Sequence, residues 1–503
     1  MQKQQTIRSV MTGLSCSMLV LFGGAVVHSS SPARLADSEQ VIVRSSQPVD
    51  EGRRIGQTEY YVVSAAQART ERANSPESST YAVQPYRTTV TNDPLEPQDY
   101  LTLLQAADVW DMTTGSSDTT VAVVDSGFAL EHEDLTGRWF TNPAESGMTE
   151  AGDVCWDELA GPEDKATNEC DDSENGLVDD WRGWDFANDG NDVSAGKTNT
   201  TGSAVNHGTS VSGMVGATGD NATGVASVNW QTTLLPIQVF DDDGVATTIE
   251  LAEGIAHAIE MEADVINLSL GTTAADPVTE DLLQDAYDAN IMVVAAAGNC
   301  GGSNYELNGC DFEGQMLYPA TSELTLSVAG TDMSDERASF SSEGAMVDLS
   351  APASGSIRTT LYDPADELGT YSGSIAGTSF ATPIVSGTVA ALKSLWPEAS
   401  NRELRALLVD SALRIEEMDG APFTEQHGFG RLRPARAASQ SLLCQDAGLQ
   451  ADITCDGAVD LLDLSILASQ WQIERTGRAD MNDEGITDLL DLSILASEWG
   501  QTE

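Results

Sequence analysis

Five short, nearly continuous apolar runs constrain this 503-residue chain more than any other feature. They are TVAVV (120–124), TLLPIQVF (233–240), DVINLSL (264–270), IMVVAAAG (291–298) and TLSVAG (325–330). Runs of this length without strict alternation suit strands covered on both faces. Helical patterns stand around them, in IELAEGIAHAIEME (249–262) and EDLLQDAYDAN (280–290). Residues 100–110 also place Leu101, Leu104, Ala107 and Trp110 at helical spacing. Strand alternating with helix requires crossover connections, hence an α/β domain with a mostly parallel central sheet. The functional crevice of such a sheet lies at the carboxyl ends of its strands. The pattern fades after about Ser441, and a chain this long outgrows one core, so a second unit is expected.

Three glycine-bearing segments carry the chemistry. VAVVDSG ends a strand at Asp125, NHGTSVSG brings His207 into a helical pattern, and GTSFATPIVSG sets Ser379 before an apolar helix running to Leu395. Amide hydrolysis needs a nucleophile, a base and a partner that orients the base. A serine hydroxyl is weak alone, and a neutral imidazole can take its proton. A buried carboxylate then fixes the imidazole tautomer and stabilises the imidazolium. The oxyanion needs donors, for which Asn299 in VVAAAGN and the backbone N–H of Ser379 are the candidates. Singly, each segment has a plainer reading: a strand-end cap, a structural histidine, a Thr-Ser helix cap. The combination and its order carry the inference.

At these residues the chain resembles the subtilisin-like serine peptidases, the subtilases of peptidase family S8, over roughly 94–438. The resemblance implies a three-layer subtilisin-like α/β domain (92–441) and a broad-specificity endopeptidase acting on proteins or peptides. It implies that Asp125, His207 and Ser379 form a catalytic triad with Asn299 in the oxyanion hole. Ser269, Leu270 and Gly271 would hold an extended substrate strand by edge pairing. Ala295 to Gly298, including Ala296, would wall the pocket for the side chain preceding the cut. Residues 37–91 are polar apart from a candidate strand at Tyr60–Ala66, and stand where a propeptide or linker would. Two departures are visible. Ser210 occupies the position where the family often has a second histidine, and Cys300 follows Asn299 and opens an insertion to Cys310. A narrow-specificity processing protease and an inactive binding protein are the alternative readings.

Two regions gather hard oxygen ligands. The insertion CDDSENGLVDDWRGWDF (170–186) clusters Asp171, Asp172, Glu174, Asp179 and Asp180 around Asn175-Gly176. Ca2+, which takes about six to eight oxygens, fits such a turn through Asp172, Asp179 and Asp180; a solvated acidic loop is the alternative. Asp134 resembles a structural calcium ligand of the family. Near the C-terminus, LLDLSILASQW (461–471) recurs 28 residues later as LLDLSILASEW, after a pair of 12-residue acidic loops with Gly at position 6. Loop one offers Asp452, Thr454, Asp456, Asp460 and Asp463, and loop two offers Asp480, Asn482, Glu484, Asp488 and Asp491. Loops ending in Asp, short helices and duplication resemble a dockerin, a small α-helical EF-hand-like module (449–503). That resemblance implies a cohesin-like or cell-surface partner.

Lys3 and Arg8 precede an apolar stretch of 17 residues, Met11 to Val27, followed by small residues to Ala36. This reads as an export signal (1–36) removed from a secreted, monomeric protein without a membrane span; an uncleaved anchor is the alternative. Six cysteines then remain, whose clustering favours Cys155–Cys170, Cys300–Cys310 and Cys444–Cys455 bridges over free thiols or zinc ligands. Lys and Arg number 24 against 79 Asp and Glu, a net charge of −55. That charge excludes nucleic acid as a partner and disfavours anionic membranes. It leaves divalent cations and solubility in salty surroundings as its physical uses.

Overall fold

The computed structural model describes four segments between residues 40 and 82 and most of 91–444, leaving out 94, 96–97, 197–202, 242–243, 304 and 364–369; of the C-terminal region it describes 489–499 and a few residues between 453 and 501. The signal-like stretch lies outside the described residues. Two compact units divide the chain, Met1–Arg87 and Thr88–Glu503.

The first unit is a four-stranded antiparallel sheet of β1 (Gln40–Arg44), β2 (Arg53–Arg54), β3 (Tyr60–Ser64) and β4 (Ser79–Ala82), in the order β2-β3-β1-β4. Only β3 is anticipated by the apolar pattern. The other three pair along their backbones, with Gln40 opposite Ser64 and Val41 opposite Ala82.

The second unit opens with two short helices, α1 (Asp99–Leu103) and α2 (Ala106–Trp110), instead of the one continuous helix that the spacing predicts. Gln105 adopts a left-handed conformation (φ 56°) and breaks the helix. Leu101, Leu104 and Val109 are nevertheless all buried in one core. The strands follow: β5 (Thr120–Asp125), β6 (Trp184–Asp185), then α3 (Ser203–Gly216), β7 (Thr233–Gln238), α4 (Thr248–Glu260), β8 (Val265–Leu268), α5 (Pro277–Asp288), β9 (Met292–Ala296), β10 (Thr325–Thr331) and β11 (Leu349–Pro352). These seven strands form one parallel sheet in the order β11-β10-β9-β8-β5-β7-β6.

Alternation along β5 explains the layers. Val121 and Val123 face one core with Val211 and Met214 of α3, while Ala122 and Val124 face the other with Leu251 and Ile255 of α4 and Leu283 of α5. Each strand is thereby buried on both sides, as its composition requires. A hairpin, β12 (Thr359–Leu361) with β13 (Thr370–Ser372), leads to α6 (Thr378–Leu395), whose Ile384, Val385 and Val389 join the first core. Capping boxes start α4 (Thr247 with Glu250) and α7 (Asn401–Ser411, Ser400 with Glu403). The chain runs from β5 to β7 on one side and returns to β8 on the other, so its switch point lies at β5. Asp125 ends that strand.

Two of the three expected disulfides are present, Cys155–Cys170 and Cys300–Cys310. Cys455 lies outside the described residues. At the C-terminus, α8 (Pro434–Cys444) precedes α9 (Leu489–Glu498), and Ile453, Val459, Leu467 and Leu495 make a small separate core. No helix among the described residues is long and apolar enough to cross a membrane.

Candidate active site

The carboxyl end of β5 holds Asp125 with its side chain fully buried. His207, five residues into α3, aims Nδ1 at both carboxylate oxygens, 2.8 Å from Oδ1 and 2.9 Å from Oδ2. Two features of the sequence permit this approach. Ser126 donates its N–H to Asp125 Oδ1 (2.7 Å) and accepts the Gly208 N–H at its hydroxyl (2.9 Å). Gly208 itself must lack a side chain, since a Cβ there would lie 2.5 Å from the Ser126 carbonyl oxygen. With Nδ1–H committed to the carboxylate, Nε2 is left as the basic nitrogen.

Burial pushes the His207 imidazole down. The Asp125 charge and hydrogen bond together outweigh burial, so its pKa ends above the ordinary value. The ring keeps about a quarter of its side chain exposed, with side-chain exposure of 26%. It lies 5.6 Å from the ring of Phe380, the neighbour of Ser379.

Ser379 is the second residue of α6. Gly377, with φ 150°, turns the chain into that helix. Pro383 is the sixth residue and has no N–H, so the carbonyl of Ser379 four residues earlier loses its helical partner. The Ser269 hydroxyl replaces it, donating to Ser379 O at 2.9 Å. In return the Ser379 hydroxyl donates to Ser269 O at 3.1 Å. Asn267 Nδ2 holds the Ser269 hydroxyl (2.9 Å), and Ser386 of α6 donates to Asn267 Oδ1 (2.8 Å). One proline and three polar side chains thus dock the nucleophile candidate against the end of β8.

Asn299 follows β9. Its Oδ1 accepts from the Thr378 N–H (2.9 Å) and hydroxyl (3.2 Å), which turns the amide nitrogen toward Gly377. Leu270 and Gly271 follow β8, while Ala296 ends β9 and Gly298 stands two residues beyond it, so the ends of two paired strands bring these candidates side by side. Sequence reasoning missed what stands between them. Leu317 donates its N–H to Ala297 O (2.9 Å), and Tyr318 exchanges backbone bonds with Thr272 (2.8 Å each). A Cβ on either Gly271 or Gly298 would meet the Leu317 side chain at 2.8 Å, so Leu317 fills the space both glycines leave. Nothing in local sequence marks this residue, because its partners lie 19 to 46 positions away.

The profile described as the subtilase family matches residues 116–437. The chain belongs to the subtilase family. It is a subtilisin-like serine endopeptidase. This subtilase is 31% identical to thermitase of Thermoactinomyces vulgaris over 312 residues, 62% of this chain and 87% of that one. It is 36% identical to subtilisin DY of Bacillus licheniformis over 223 residues, 44% of this chain and 75% of that protein. A third relative is the halolysin-like extracellular serine protease Nep of Natrialba magadii, 28% identical over 347 residues, 68% of this chain and 52% of that protein. The chain therefore matches about half of that last relative's length.

Subtilases often bind calcium, and the acidic insertion gathers oxygens of the kind that ion takes. Glu145 Oε2, Asp172 Oδ1 and Asp179 Oδ1 are buried oxygens with no hydrogen-bond donor. Burial raises the Glu145 and Asp179 pKa values, and the neighbouring Asp172 charge adds to both. Asp180 differs: Asn142 and Asn175 each donate to one of its oxygens at 2.9 Å. Among the described residues no three acidic, histidine or cysteine side chains converge closely enough to hold one ion. The region supplies buried oxygens without hydrogen-bond donors, Lys165 Nζ lying 3.9 Å from Asp172 Oδ1, but not an assembled ligand set. Asp134 is buried with both oxygens facing donors, Asn221 Nδ2 (2.9 Å) and the Val225 N–H (2.8 Å). Of the C-terminal ligand candidates, Asp463 and Asp491 are both fully buried. Asp452, Thr454, Asp456, Asp460, Asp480, Asn482, Glu484 and Asp488 lie outside the described residues.

Proposed function

We propose that this subtilase cuts peptide bonds with Ser379 as nucleophile, His207 as general base and Asp125 as the group that orients and stabilises it. The observation that carries the reading is the His207 Nδ1 contact with both oxygens of a fully buried Asp125. Substrate binding turns the Ser379 hydroxyl from Ser269 O to His207 Nε2; hydrogen bonds in unliganded sites are commonly looser than in the reacting complex. Oγ then attacks the scissile carbonyl while its proton passes to Nε2. The oxyanion takes hydrogen bonds from Asn299 Nδ2 and the Ser379 N–H at the start of α6. His207 returns its proton to the departing amine, and water repeats the sequence to release the acyl group. Casein hydrolysis by the wild type, abolished in Ser379→Ala, is the expected result. Hydrolysis that survives the substitution excludes Ser379 as nucleophile.

Ser269, Leu270 and Gly271 pair with the substrate backbone, and Ala296, Gly298 and Leu317 line the pocket beside the cut. That lining is apolar and favours broad specificity for uncharged side chains. Calcium binds the acidic insertion through Asp172 and Asp179, joined by Glu145, with Asp180 beside them. Support comes from the buried oxygens of Glu145, Asp172 and Asp179 that no hydrogen-bond donor reaches, with Lys165 Nζ 3.9 Å from Asp172 Oδ1 as a nearby cation, since a buried oxygen left without a hydrogen bond is costly. The repeat acts as a dockerin-like calcium module. Asp463 and Asp491, the twelfth residues of the two loops, are buried alike beside the small core of Ile453, Val459, Leu467 and Leu495. Secretion follows from the signal-like N-terminus together with the extracellular relative, and two disulfides suit an oxidising compartment.

A further inference from the structure

We infer that the loop closed by the Cys300–Cys310 disulfide is a positioning clamp for Asn299, with Asn308 as the residue that makes contact. The inference rests on the reading of Asn299 as an oxyanion donor. An oxyanion donor works only if it is held where the charge will develop, before the charge is there. Its amide plane is set by Thr378, as described above. The backbone that carries the side chain needs a second restraint, because β9 ends at Ala296 and Gly298 sits at φ 113°.

The carbonyls of this stretch show how the restraint is built. Ala297 O accepts from Leu317 N (2.9 Å), Gly298 O from Ser342 N (2.9 Å) and Cys300 O from Gly314 N (2.8 Å). The Asn299 carbonyl is held instead by a side chain, Asn308 Nδ2, at 2.6 Å. Asn308 ends a short helical turn, Tyr305–Asn308, which is tightened by Gly309 N to Glu306 O and Cys310 N to Tyr305 O (3.2 Å each). The disulfide then ties Cys310 back to Cys300, the residue that follows Asn299. Both cysteines are buried, at 0% and 6% exposure, whereas Asn308 is exposed. An exposed amide gains little stability from this bond, since water would satisfy it equally well. Its consequence is geometric: the loop leaves from and returns to the peptide beside Asn299 and fixes it.

The test is a double-mutant cycle on the full chain, with turnover normalised to reactive serine. Asn308→Ala is expected to lower kcat about three- to tenfold, the range of one modest hydrogen bond, with KM within about twofold. The melting temperature and the acid limb of the pH profile stay at wild-type values. In the Asn299→Ala background, Asn308→Ala has no further effect, because the clamp has nothing left to position. Cys300→Ala with Cys310→Ala reproduces the kcat loss by opening the loop. An unchanged kcat in Asn308→Ala, while Asn299→Ala loses about 100-fold, overturns the clamp and leaves the oxyanion reading standing. Equal losses in both backgrounds also overturn it, since the loop would then act elsewhere. An Asn299→Ala enzyme with full kcat overturns the oxyanion reading itself, and the clamp with it.

Discussion

Replacing Asp125 by Asn separates the two services that the carboxylate performs for His207. The Ser126 N–H bond (2.7 Å) can be kept by the amide oxygen, so the backbone at the end of β5 has no reason to move. The imidazole loses both the charge and the hydrogen bond that hold its pKa up, while the burial that pushes it down remains. In the wild type the base is neutral only above a raised pKa, so the acid limb of kcat/KM lies above the ordinary histidine value of about 6.5. In Asp125→Asn the limb moves below that value. The rate falls for a different reason. An amide in place of the carboxylate favours the wrong tautomer, and the corresponding change in a serine protease triad costs about 10,000-fold in kcat. That is about 5.4 kcal/mol of transition-state stabilisation. The stability linkage has the matching sign. A raised folded-state pKa stabilises the wild type below the unfolded pKa, and this contribution disappears as pH rises through the folded value. The variant loses that acid-side contribution. The assay is kcat/KM on a chromogenic peptide between pH 5 and 9, with urea denaturation at the same pH values. An acid limb that stays in place, or a rate within about tenfold of wild type, refutes the reasoning.

Three further outcomes are expected. Chelating calcium lowers the melting temperature and exposes residues 452–499 to proteolysis; calcium at about 100 times its Kd supplies about 2.7 kcal/mol of native-state stabilisation. Glu145→Gln with Asp172→Asn weakens the calcium dependence of the melting temperature in the catalytic unit, and an unchanged dependence excludes the insertion as a site. Leu317→Ala deepens the pocket, raising kcat/KM for a phenylalanine over an alanine before the cut by about tenfold, within the range per hydrophobic group; a peptide-library digest reads the ratio, and an unchanged ratio removes Leu317 from the pocket.

The parts of this fold legible in the sequence are those whose cause is local. Strands β5, β8, β9 and β10 are buried on both faces and therefore announce themselves as apolar runs. Helix α6 begins one residue before Ser379 and ends at Leu395, because a glycine precedes it and small apolar residues fill it. Other features depend on partners far along the chain. The two-residue strand β6 joins the sheet through pairing with Ile237 and Gln238, about 50 residues away. The sheet at residues 40–82 is short strands held by register rather than by periodicity. Glu145 precedes the acidic cluster by more than 20 residues and joins it only in three dimensions, where its Oε1 accepts the Ser173 N–H at 2.7 Å. The same holds at the site. Asp125 and His207 stand in recognisable contexts, but the pairing of Ser269 with the Ser379 carbonyl that Pro383 leaves without a helical partner, and of Asn308 with Asn299, follows from hydrogen-bond vacancies that become visible only once the backbone is in place.

A fluorophosphonate reagent gives the most direct reading of the central claim, since it reacts only with a hydroxyl that a neighbouring base has made nucleophilic. Tandem mass spectrometry of the labelled full-length protein should place one adduct on the Ser379 side chain, absent after denaturation and nearly absent in His207→Ala. Modification of a different residue, or equal labelling of Ser379 without the His207 imidazole, would contradict the proposed chemistry.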